Sequence, residues 1–570
     1  MSKLTAIVRN PSDDGWLRYR EPFRLIVARE IDEVMPALAA IEEACAGGAT
    51  AVGYVAYDAA PAFDTALECQ RGTLPLLLFG LYRGGDACDL PSPGPATLAL
   101  APEMGKPAFT RNLERIRDHL GAGDTYQVNF TQRLVGFCDH DPLQLFSDLY
   151  QAQPSALAAY LEWDELAICS VSPELFFAVD GEDIVMEPMK GTRPRHEDPR
   201  TDRRLRDELL SSDKEKAENL MIVDMVRNDL GRIAESGSIG ARQLFRIVEL
   251  PTVWQQVSSV GAKTGAGLAQ LFAALFPCAS ITGAPKASTM KIIRNLETSP
   301  RGIYTGTIGI VRPNRHMRFS VAIRTLVIDR SRQFAEYGIG SGIVWDSRSD
   351  SEWLETLQKS RLLHRSEDDF SLLETLRFDP GEGVSRLPRH LARLRASAAY
   401  FGIDAPLETI AEALERIEFA EATKLRLLVS PSGEYAIESS AAPANTDPVR
   451  LRLAARPVNS RDPFLRHKTT ERRVYQALRA IAADCDDVIL FNEHGELTET
   501  TIYNLYLEID GELLTPAAES GLLPGTLRQE LLESGRAREE IIKVGDLERA
   551  TNLFVSNSVR GLCEATLLSR

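Results

Sequence analysis

A short polar segment two thirds of the way along the chain, residues 363–369 (Leu-His-Arg-Ser-Glu-Asp-Asp), separates two long stretches. The chain has 570 residues, far more than a single hydrophobic core of about 150 residues organises. Connectors between domains are typically exposed and polar. The sequence therefore predicts one domain over residues 1–362, a linker over 363–369 and a second domain over 370–570.

The composition is that of an ordinary globular protein, with 44% hydrophobic and 26% charged residues. A formal net charge of −16 argues against nucleic acid or an anionic membrane as the main partner. The eight cysteines are scattered without a CxxC pair, and no stretch reaches the roughly 18 apolar residues of a membrane span. We therefore expect a cytoplasmic protein with reduced thiols and with no nucleic-acid or membrane partner.

Lys190 lies in the segment 187–192 (Glu-Pro-Met-Lys-Gly-Thr), at the end of an apolar, strand-like run. A lysine between proline and glycine is more often a solvated surface residue. It becomes a nucleophile only where burial or a neighbouring cation lowers its pKa. Upstream, Glu174 stands beside two phenylalanines, and an apolar setting would raise its pKa and suit it to proton transfer. A solvated glutamate at a strand end is an equal alternative.

Two predicted helices, far apart in the chain, each place two glutamates three residues apart on one face. These carboxylates are Glu215 and Glu218 on the first helix, over residues 213–231, and Glu352 and Glu355 on the second. Magnesium is typically held by one or two carboxylates together with substrate oxygens and water. The pair of helices therefore suggests a magnesium site, although a solvated acidic face is the more frequent explanation for either helix alone.

Two loops between these helices, over residues 276–286 and 301–309, combine small residues, hydroxyls and cations. Such loops suit a carboxylate ligand that approaches backbone N–H groups. Arg324, on a strand predicted over residues 319–326, would add a guanidinium that binds a carboxylate through two N–H groups. We interpret this part of the chain as the binding region for a small anionic ligand.

In this order the segments resemble the chorismate-utilising enzyme family, over nearly all of residues 1–362. The strings that carry the resemblance are Ser-Ile-Thr-Gly-Ala-Pro-Lys at 280–286, Leu-Met-Ile-Val-Asp-x-x-Arg-Asn-Asp-Leu-Gly at 220–231 and Gly-Ser-Gly-Ile-Val at 340–344. The resemblance implies a two-sheet α+β core with surrounding helices. Anthranilate synthases have alanine in place of Lys190, whereas the component I enzymes that form aminodeoxychorismate have Pro-Ile-Lys-Gly-Thr, close to residues 188–192 here.

The resemblance implies a role for each matching residue. Lys190 would attack the chorismate ring at C2 as the C4 hydroxyl leaves, and ammonia would open the adduct at C4, with Glu174 as general acid and base. The magnesium ligands would be Glu218 and Glu355, with Glu215 and Glu352 as outer carboxylates. The substrate would be bound by Arg324, Tyr304, Gly342, Lys359 and Thr282.

Two features depart from the family or limit what the chain does alone. Gln255 stands where relatives often have a histidine, and an amide cannot titrate as an imidazole does. No Gly-x-Cys-x-Gly nucleophile elbow appears in the sequence. The resemblance therefore implies that ammonia comes from solution or from a separate glutamine amidotransferase subunit.

The second stretch contains three groups of residues that would together suit a phosphate-bearing aldehyde cofactor. Lys468 offers an amine for a Schiff base, the stretch 487–505 a carboxylate for a pyridinium nitrogen, and residues 525–527 a helix start that would bind a phosphate together with an arginine. Taken singly, each of these residues is more often a surface or capping residue.

In this order they resemble the fold-type IV pyridoxal-phosphate enzymes, which include amino-acid aminotransferases and aminodeoxychorismate lyase. The resemblance implies a two-part α+β domain in which Lys468 binds pyridoxal 5′-phosphate and moves the proton, while Glu499 keeps the pyridine nitrogen protonated. The phosphate would be held by Arg393, Gly525, Thr526, Leu527, Ser556 and Asn557. The resemblance leaves room for a homodimer formed through this domain.

The fusion of the two resemblances predicts two consecutive steps of 4-aminobenzoate, and hence folate, biosynthesis. The first domain would aminate chorismate to 4-amino-4-deoxychorismate with Mg²⁺, and the second would eliminate pyruvate from that product. Three alternatives remain open: an amino-acid aminotransferase as the second domain, an anthranilate synthase-like first domain, or a non-catalytic docking module as the second domain. The expected fold class is α+β in both domains.

Overall fold

The computed structural model describes residues 3–10, 15–94, 98–196, 199–250, 253–360, 363, 370–444, 448–481 and 484–568. Apart from Leu363, the predicted linker lies outside the described residues, and the domain boundaries remain a prediction. No described helix combines the length and the apolar character that crossing a membrane requires.

Helices cover the outside of the first domain, and their ends follow local sequence signals. Helix α5 begins where the Ser212 hydroxyl accepts a hydrogen bond from the Glu215 N–H, and α2 ends at Gly123 with φ of 80°. The helices are α1 Ile31–Ala46, α2 Lys106–Ala122, α3 Pro142–Ala152, α4 Pro199–Ser211, α5 Asp213–Gly231, α6 Leu268–Leu275, α7 Lys286–Leu296 and α8 Ser349–Gln358.

The strands of the first domain are β1 Leu4–Arg9, β2 Trp16–Tyr19, β3 Arg24–Ala28, β4 Thr50–Val55, β5 Leu77–Tyr82, β6 Asp86–Cys88, β7 Ala101–Pro102, β8 Gln127–Phe137, β9 Ala159–Trp163, β10 Leu166–Ser170, β11 Leu175–Asp180, β12 Asp183–Glu187, β13 Met189–Pro194, β14 Gly240–Glu249, β15 Val253–Lys263, β16 Gly283–Ala284, β17 Thr307–Arg312, β18 His316–Val321, β19 Thr325–Asp329 and β20 Phe334–Ile343.

Within the described residues these strands form two ten-stranded antiparallel sheets. One sheet has the order β16-β8-β20-β19-β10-β9-β1-β2-β6, with β7 paired to β8, and the other has the order β13-β15-β12-β11-β18-β17-β4-β5-β3, with β14 paired to β15. The largest buried cluster packs α1, α5 and α6 against the second sheet, with Phe177, Phe272 and Phe319 in mutual ring contact.

The second domain consists of two smaller sheets with helices packed on them. Its antiparallel sheet has the order β22-β21-β23-β24, and its mixed sheet has the order β27-β26-β25-β32-β31-β28-β29-β30. The elements are β21 Leu372–Asp379, β22 Gly383–Val384, α9 Leu387–Phe401, α10 Leu407–Glu415, β23 Thr423–Val429, β24 Tyr435–Ala441, β25 Val449–Leu453, α11 Pro463–Arg466, α12 Arg473–Ala480, β26 Asp487–Phe491, β27 Leu497–Thr500, β28 Asn504–Ile509, β29 Glu512–Pro516, α13 Thr526–Glu533, β30 Arg538–Glu540, β31 Asn552–Asn557 and β32 Gly561–Leu567.

The expected α+β fold class is confirmed, but the strand predicted over residues 319–326 is wrong. Strand β18 ends at Val321 and β19 begins at Thr325, and the two strands belong to different sheets. Arg324 lies in the passage between them with φ of 51°, a left-handed conformation that no continuous strand contains. The apolar residues on both sides of Arg324 made two strands look like one.

Candidate active sites

A cavity of about 380 Å³ opens between the two sheets of the first domain. Strand β13, the helices α5 and α8, the strand β20 and the loops before β11 and α7 contribute to its wall. The residues predicted from sequence that line it are Glu174, Lys190, Glu215, Glu218, Tyr304, Arg324, Gly342, Glu352, Glu355 and Lys359. The structure thus gathers residues from distant parts of the sequence into one site.

Lys190 projects into this cavity from an irregular part of β13. The register of β13 with β15 shifts between Met189 and Thr192, and Gly191 has φ of 92°. A Cβ at Gly342 would lie only 2.3 Å from the Lys190 Nζ, so a side chain at this position would displace the lysine amine. Burial lowers the pKa of Lys190, and the Lys359 ammonium lowers it further, although nearby carboxylates oppose the shift.

Gln255, which stands where relatives often have a histidine, supports the backbone beside Lys190. Its Nε2 donates a hydrogen bond to the Gly191 carbonyl at 2.9 Å, and its Oε1 accepts one from the Thr192 hydroxyl at 3.0 Å. The amide therefore holds the residues that follow the lysine. It has no titratable group with which to transfer a proton.

Glu174 is a buried carboxyl group in the wall of the cavity, with 4% of its surface exposed. The Ser280 hydroxyl donates a hydrogen bond of 2.5 Å to its Oε1. Burial raises the pKa of Glu174 to about 7, and the Ser280 hydrogen bond opposes that shift only in part. Glu174 can therefore exist as acid or base near neutral pH. Ser280 was not predicted as a functional residue, although it is the first residue of the motif Ser-Ile-Thr-Gly-Ala-Pro-Lys at 280–286.

The four glutamates predicted as metal ligands line the same cavity, but within the described part of the chain only two of them accept a hydrogen bond from a cationic side chain. Glu215 accepts a hydrogen bond from Arg193 at 2.8 Å, and Glu355 accepts one from Lys359 at 2.9 Å. Glu218 lies 4.0 Å from the Lys214 ammonium, and the buried Oε2 of Glu352 has no hydrogen-bond partner among the described residues.

Carboxylate oxygens with spare acceptor capacity therefore remain on both helices, which fits a cation that also takes substrate and water oxygens as ligands. Among the described residues, no three His, Cys, Asp or Glu side chains are close enough to form a complete metal site by themselves. Burial raises the pKa of Glu218, and the neighbouring Lys190 ammonium opposes that shift.

Cationic and aromatic groups lie in and behind the same wall, beside the carboxylates. Lys359 donates a hydrogen bond from Nζ to the Gly340 carbonyl at 2.6 Å, and Arg324 donates one to the backbone carbonyl of Lys359. The Tyr304 ring lies beneath the Arg133 guanidinium, 4.9 Å from its carbon. Arg324 and Lys359 thus bring positive charge to the cavity, which suits a ligand that carries carboxylates.

Of the predicted loop 276–286, only part reaches the cavity. Thr282 is fully buried, and its hydroxyl donates to the carbonyls of Cys278 and Ala279, so the structure does not bring this side chain to the site. Lys286 pairs with Asp229 at 2.9 Å on the other side of the loop. Ser280 and Ile281 are the residues of this loop that line the cavity.

The second domain contains a cavity of about 430 Å³ between its two sheets. All the residues predicted for cofactor binding line it: Arg393, Lys468, Glu499, Gly525, Thr526, Leu527, Ser556 and Asn557. Four further cations line the same space, namely Lys424, Arg426, Arg472 and Arg560. The cavity therefore carries a surplus of positive charge that suits an anionic ligand.

Lys468, which is half-buried, and Glu499, which is buried, are ionisable groups in this cavity. Burial, with the neighbouring guanidinium groups of Arg393 and Arg472, lowers the pKa of Lys468 to about 8. Burial raises the pKa of Glu499 to about 8, while a 2.9 Å hydrogen bond from the Tyr475 hydroxyl opposes the shift. Tyr475 was not predicted, because its contact with Glu499 forms only when the fold brings α12 to β27.

Arg393 is held in place by the buried carboxylate of Glu374, which was not predicted as a site residue. Its Nε and Nη2 donate to Glu374 at 2.9 and 2.6 Å, and Glu374 also pairs with the His390 ring at 2.7 Å. Burial alone would raise the pKa of Glu374, but Arg393 and His390 outweigh it and hold that pKa at about 2. Glu374 therefore fixes the orientation of Arg393 in the cavity wall.

The start of α13 supplies backbone N–H groups to the same cavity. Gly525 caps this helix without a side-chain hydrogen bond, so the first N–H groups have no partner from a capping side chain. A Cβ at Gly525 would lie 1.9 Å from the Asn504 Oδ1, so a side chain does not fit here. With Arg393 nearby, this end of the cavity fits a phosphate group, and Lys468 and Glu499 fit the carbonyl and ring nitrogen of pyridoxal phosphate.

Comparison with known proteins agrees with this division into two sites. Residues 85–365 match the family model of chorismate binding enzymes, and residues 371–568 match that of class IV amino-transferases. The chain therefore joins a chorismate-binding domain to a fold-type IV domain. It carries one member of the chorismate binding enzyme family and one of the amino-transferase class IV family, as the two resemblances predicted.

The relatives of the first domain have two different activities. The chain is 40% identical over 274 residues to aminodeoxychorismate synthase component 1 of Klebsiella aerogenes. The aligned residues cover 48% of this chain and 60% of that protein. It is 39% identical over 266 residues to an anthranilate synthase component 1 of Haloarcula marismortui. The aligned residues cover 46% of this chain and 54% of that protein. The chain thus spans little more than half the length of the curated relatives it matches.

A solved structure supports the fold of the first domain. Anthranilate synthase component I from Streptococcus pneumoniae superposes with a TM-score of 0.52 at 22% identity. The match covers 64% of this chain and 92% of that protein. At this identity the likeness concerns the fold alone.

Proposed function

We propose that the first domain converts chorismate and ammonia to 4-amino-4-deoxychorismate and that the second eliminates pyruvate from this product, giving 4-aminobenzoate. The observation that carries the proposal is the placement of Lys190. Its amine lies in the first cavity, its pKa is lowered by burial, and Glu174 lines the same wall. A buried amine beside a carboxyl group that titrates near pH 7 is equipped for attack on a ring from which a hydroxyl leaves.

In the first reaction the Lys190 nitrogen adds at C2 of the ring, the double bonds shift and the C4–O bond breaks. Glu174 donates its proton to the departing hydroxyl, which leaves as water. Ammonia then adds at C4, and the bond between C2 and Lys190 breaks, so that the lysine is regenerated. Overall, chorismate and ammonia give aminodeoxychorismate and water.

The remaining residues of the first cavity would bind and orient the substrate. Arg324 and Lys359 would hold its carboxylates, since cationic N–H donors bind carboxylates strongly. Glu218 and Glu355, with Glu352 and Glu215 behind them, would hold Mg²⁺, which would neutralise the ring carboxylate as the reaction proceeds. Ser280 would orient the Glu174 carboxyl group through its short hydrogen bond.

In the second reaction the Lys468 amine would remove the C4 proton and return a proton to the methylene carbon of the departing enolpyruvyl group. The C3–O bond breaks, the ring becomes aromatic, and pyruvate is released. Pyridoxal phosphate would supply an electron sink for the C4–H electrons. Glu499 would hold the proton on its pyridine nitrogen, and Arg393 with the start of α13 would bind its phosphate.

Two alternatives have specific support. The similarity to an anthranilate synthase favours 2-aminobenzoate as the product of the first domain. The class IV amino-transferase match of the second domain favours transfer of an amino group to a keto acid.

The relatives named as a component 1 favour a separate glutamine amidotransferase as the ammonia source. A homodimer through the second domain remains a prediction.

The test is to incubate the full chain with chorismate, Mg²⁺, pyridoxal phosphate and ammonium, and to identify products by mass spectrometry. We expect 4-aminobenzoate and pyruvate in equal amounts. Glutamine should not replace ammonium unless an amidotransferase is added. Release of 2-aminobenzoate would assign the first domain to anthranilate synthesis, and accumulation of aminodeoxychorismate with conversion of an added keto acid would make the second domain an aminotransferase.

A further inference from the structure

The segment that carries Lys468 is held by the first domain on one side. In this segment Arg461 donates from Nε and Nη2 to the carboxylate of Glu103 at 2.9 and 3.1 Å, and from Nη1 to Glu336 at 2.7 Å. Both carboxylates belong to the first domain. One arginine therefore joins two acidic groups across the boundary between the domains.

The two carboxylates are part of the framework around the first cavity. Glu103 follows β7 and also accepts a hydrogen bond from the Ser299 hydroxyl at 2.9 Å. Glu336 lies on β20, two residues before Gly338, which lines the first cavity. Arg461 is therefore bound to two parts of the first domain, the residue after β7 and strand β20, and β20 also lines the first cavity.

A second contact reaches the residue before Lys468. The Tyr400 hydroxyl donates to the backbone carbonyls of Pro102 and Glu103, and its ring lies 4.3 Å from the ring of His467. A Cβ on Gly105 would come within 2.4 Å of the Tyr400 ring, so the first domain approaches this ring too closely for a side chain.

The same segment also has an apolar contact with the first domain. Phe464, on α11, belongs to one buried cluster with Ala99 and Ala101, and α11 contacts β7 and β8. On its other side the segment is fixed within the second domain, because the Leu373 N–H donates to the Lys468 carbonyl at 2.9 Å. The segment that carries Lys468 thus lies between β21 and the first domain.

We propose that Arg461 and Tyr400 are positioning residues that fix the Lys468 segment against the first domain, so that the cofactor site of the second domain is complete only in the fused chain. This inference rests on the proposed binding of pyridoxal phosphate at Lys468. Neither residue lines the second cavity, so both act through the backbone of the segment. The second reaction thereby depends on a domain that takes no chemical part in it.

The test compares Arg461→Met with Arg389→Met in the full chain. Arg389 makes a two-bond pair with Glu533, at 2.8 and 2.6 Å, entirely within the second domain, and is the matched control. The measurements are the dissociation constant of pyridoxal phosphate and the pH midpoint of its absorption band when bound. We expect roughly tenfold weaker binding and a shifted midpoint in Arg461→Met, with less than about a twofold change in Arg389→Met. Arg461→Lys should restore part of the loss.

Ammonia-dependent consumption of chorismate by each variant shows whether the first domain is folded. If Arg461→Met loses this reaction as well, Tyr400→Phe provides the test, because it removes one hydroxyl and keeps the ring on His467. We expect about threefold weaker cofactor binding in that variant.

Affinity and midpoint in Arg461→Met and Tyr400→Phe equal to those of Arg389→Met would overturn the positioning role and leave the proposed function standing. A wild-type chain in which borohydride traps no cofactor on Lys468 would overturn the proposed function of the second domain instead, and the positioning role with it.

Discussion

Each domain presents a half-buried lysine to its cavity, but charges of opposite sign dominate around the two lysines. Carboxylates surround Lys190, including Glu218 and Glu355, and they oppose the effect of burial on its pKa. Guanidinium groups surround Lys468, and Arg393 and Arg472 act in the same direction as burial. The same side chain is therefore placed in an acidic site in one domain and in a basic site in the other.

The difference indicates what each cavity binds in addition to its reacting molecule. Spare carboxylate oxygens beside Lys190 suit a divalent cation, and the surplus of positive charge beside Lys468 suits a phosphate. A lysine alone does not distinguish the two chemistries. The sign of the charge around the lysine distinguishes them.

The largest effect is expected from removal of either lysine. Lys190→Ala should lower the rate of chorismate amination by roughly a thousandfold or more, because the nucleophile is lost, while pyridoxal phosphate stays bound. Lys468→Ala should abolish borohydride trapping of the cofactor and leave amination intact. Chorismate consumption and cofactor absorbance measure the two outcomes separately. Loss of cofactor in Lys190→Ala would show that the sites are not independent.

Glu218→Gln tests the acidic character of the first site. We expect amination to fall by roughly 10- to 100-fold and the magnesium concentration for half-maximal rate to rise, because a ligand with free acceptor capacity is lost. Asp224→Asn, on the same helix and paired with Arg227 at the surface, is the control. Unchanged magnesium dependence in Glu218→Gln would remove this residue from the metal site.

The pH dependence of amination tests the role of Glu174. As a general acid it must carry its proton, and its pKa is about 7, so kcat/KM should fall as the pH rises through 7. The Ser280 hydrogen bond stabilises the ionised carboxylate and therefore lowers this pKa. In Ser280→Ala the pKa should rise and the falling limb should move to higher pH. A limb that stays in place would assign it to another group.

Tyr475→Phe should have the smallest effect. The hydroxyl stabilises the ionised form of Glu499, so its removal should raise the Glu499 pKa above about 8 and weaken the ion pair with the pyridine nitrogen. Loss of one such hydrogen bond corresponds to a change of roughly three- to tenfold in cofactor affinity. Fluorescence titration with pyridoxal phosphate measures it. An unchanged affinity would show that Glu499 does not depend on this contact.

Local sequence patterns predicted several elements and most of the residues that line the two cavities. The helix expected over residues 213–231 has those ends in the structure, because Ser212 caps its start. Arg324 was placed on a strand that does not exist, since the passage between two sheets is a tertiary feature. Thr282 was predicted to bind the substrate, but its hydroxyl donates to backbone carbonyls and its side chain does not line the cavity.

Residues that act through another side chain were not predictable from local pattern. Ser280, Tyr475 and Glu374 each orient a predicted site residue, and each is brought to it by packing of separate elements. The contact of Arg461 with Glu103 joins residues from the two domains, and no spacing in the sequence indicates it. Such supporting contacts require the folded structure.

The central claim, that one chain carries out two consecutive reactions at two separate lysines, is tested most directly by mixing variants. Lys190→Ala and Lys468→Ala are each incubated with chorismate, Mg²⁺, ammonium and pyridoxal phosphate, first alone and then together, and 4-aminobenzoate is measured. We predict no 4-aminobenzoate from Lys190→Ala alone, accumulation of aminodeoxychorismate with Lys468→Ala alone, and formation of 4-aminobenzoate in the mixture. Formation of 4-aminobenzoate by Lys468→Ala alone, or none in the mixture, would contradict the account.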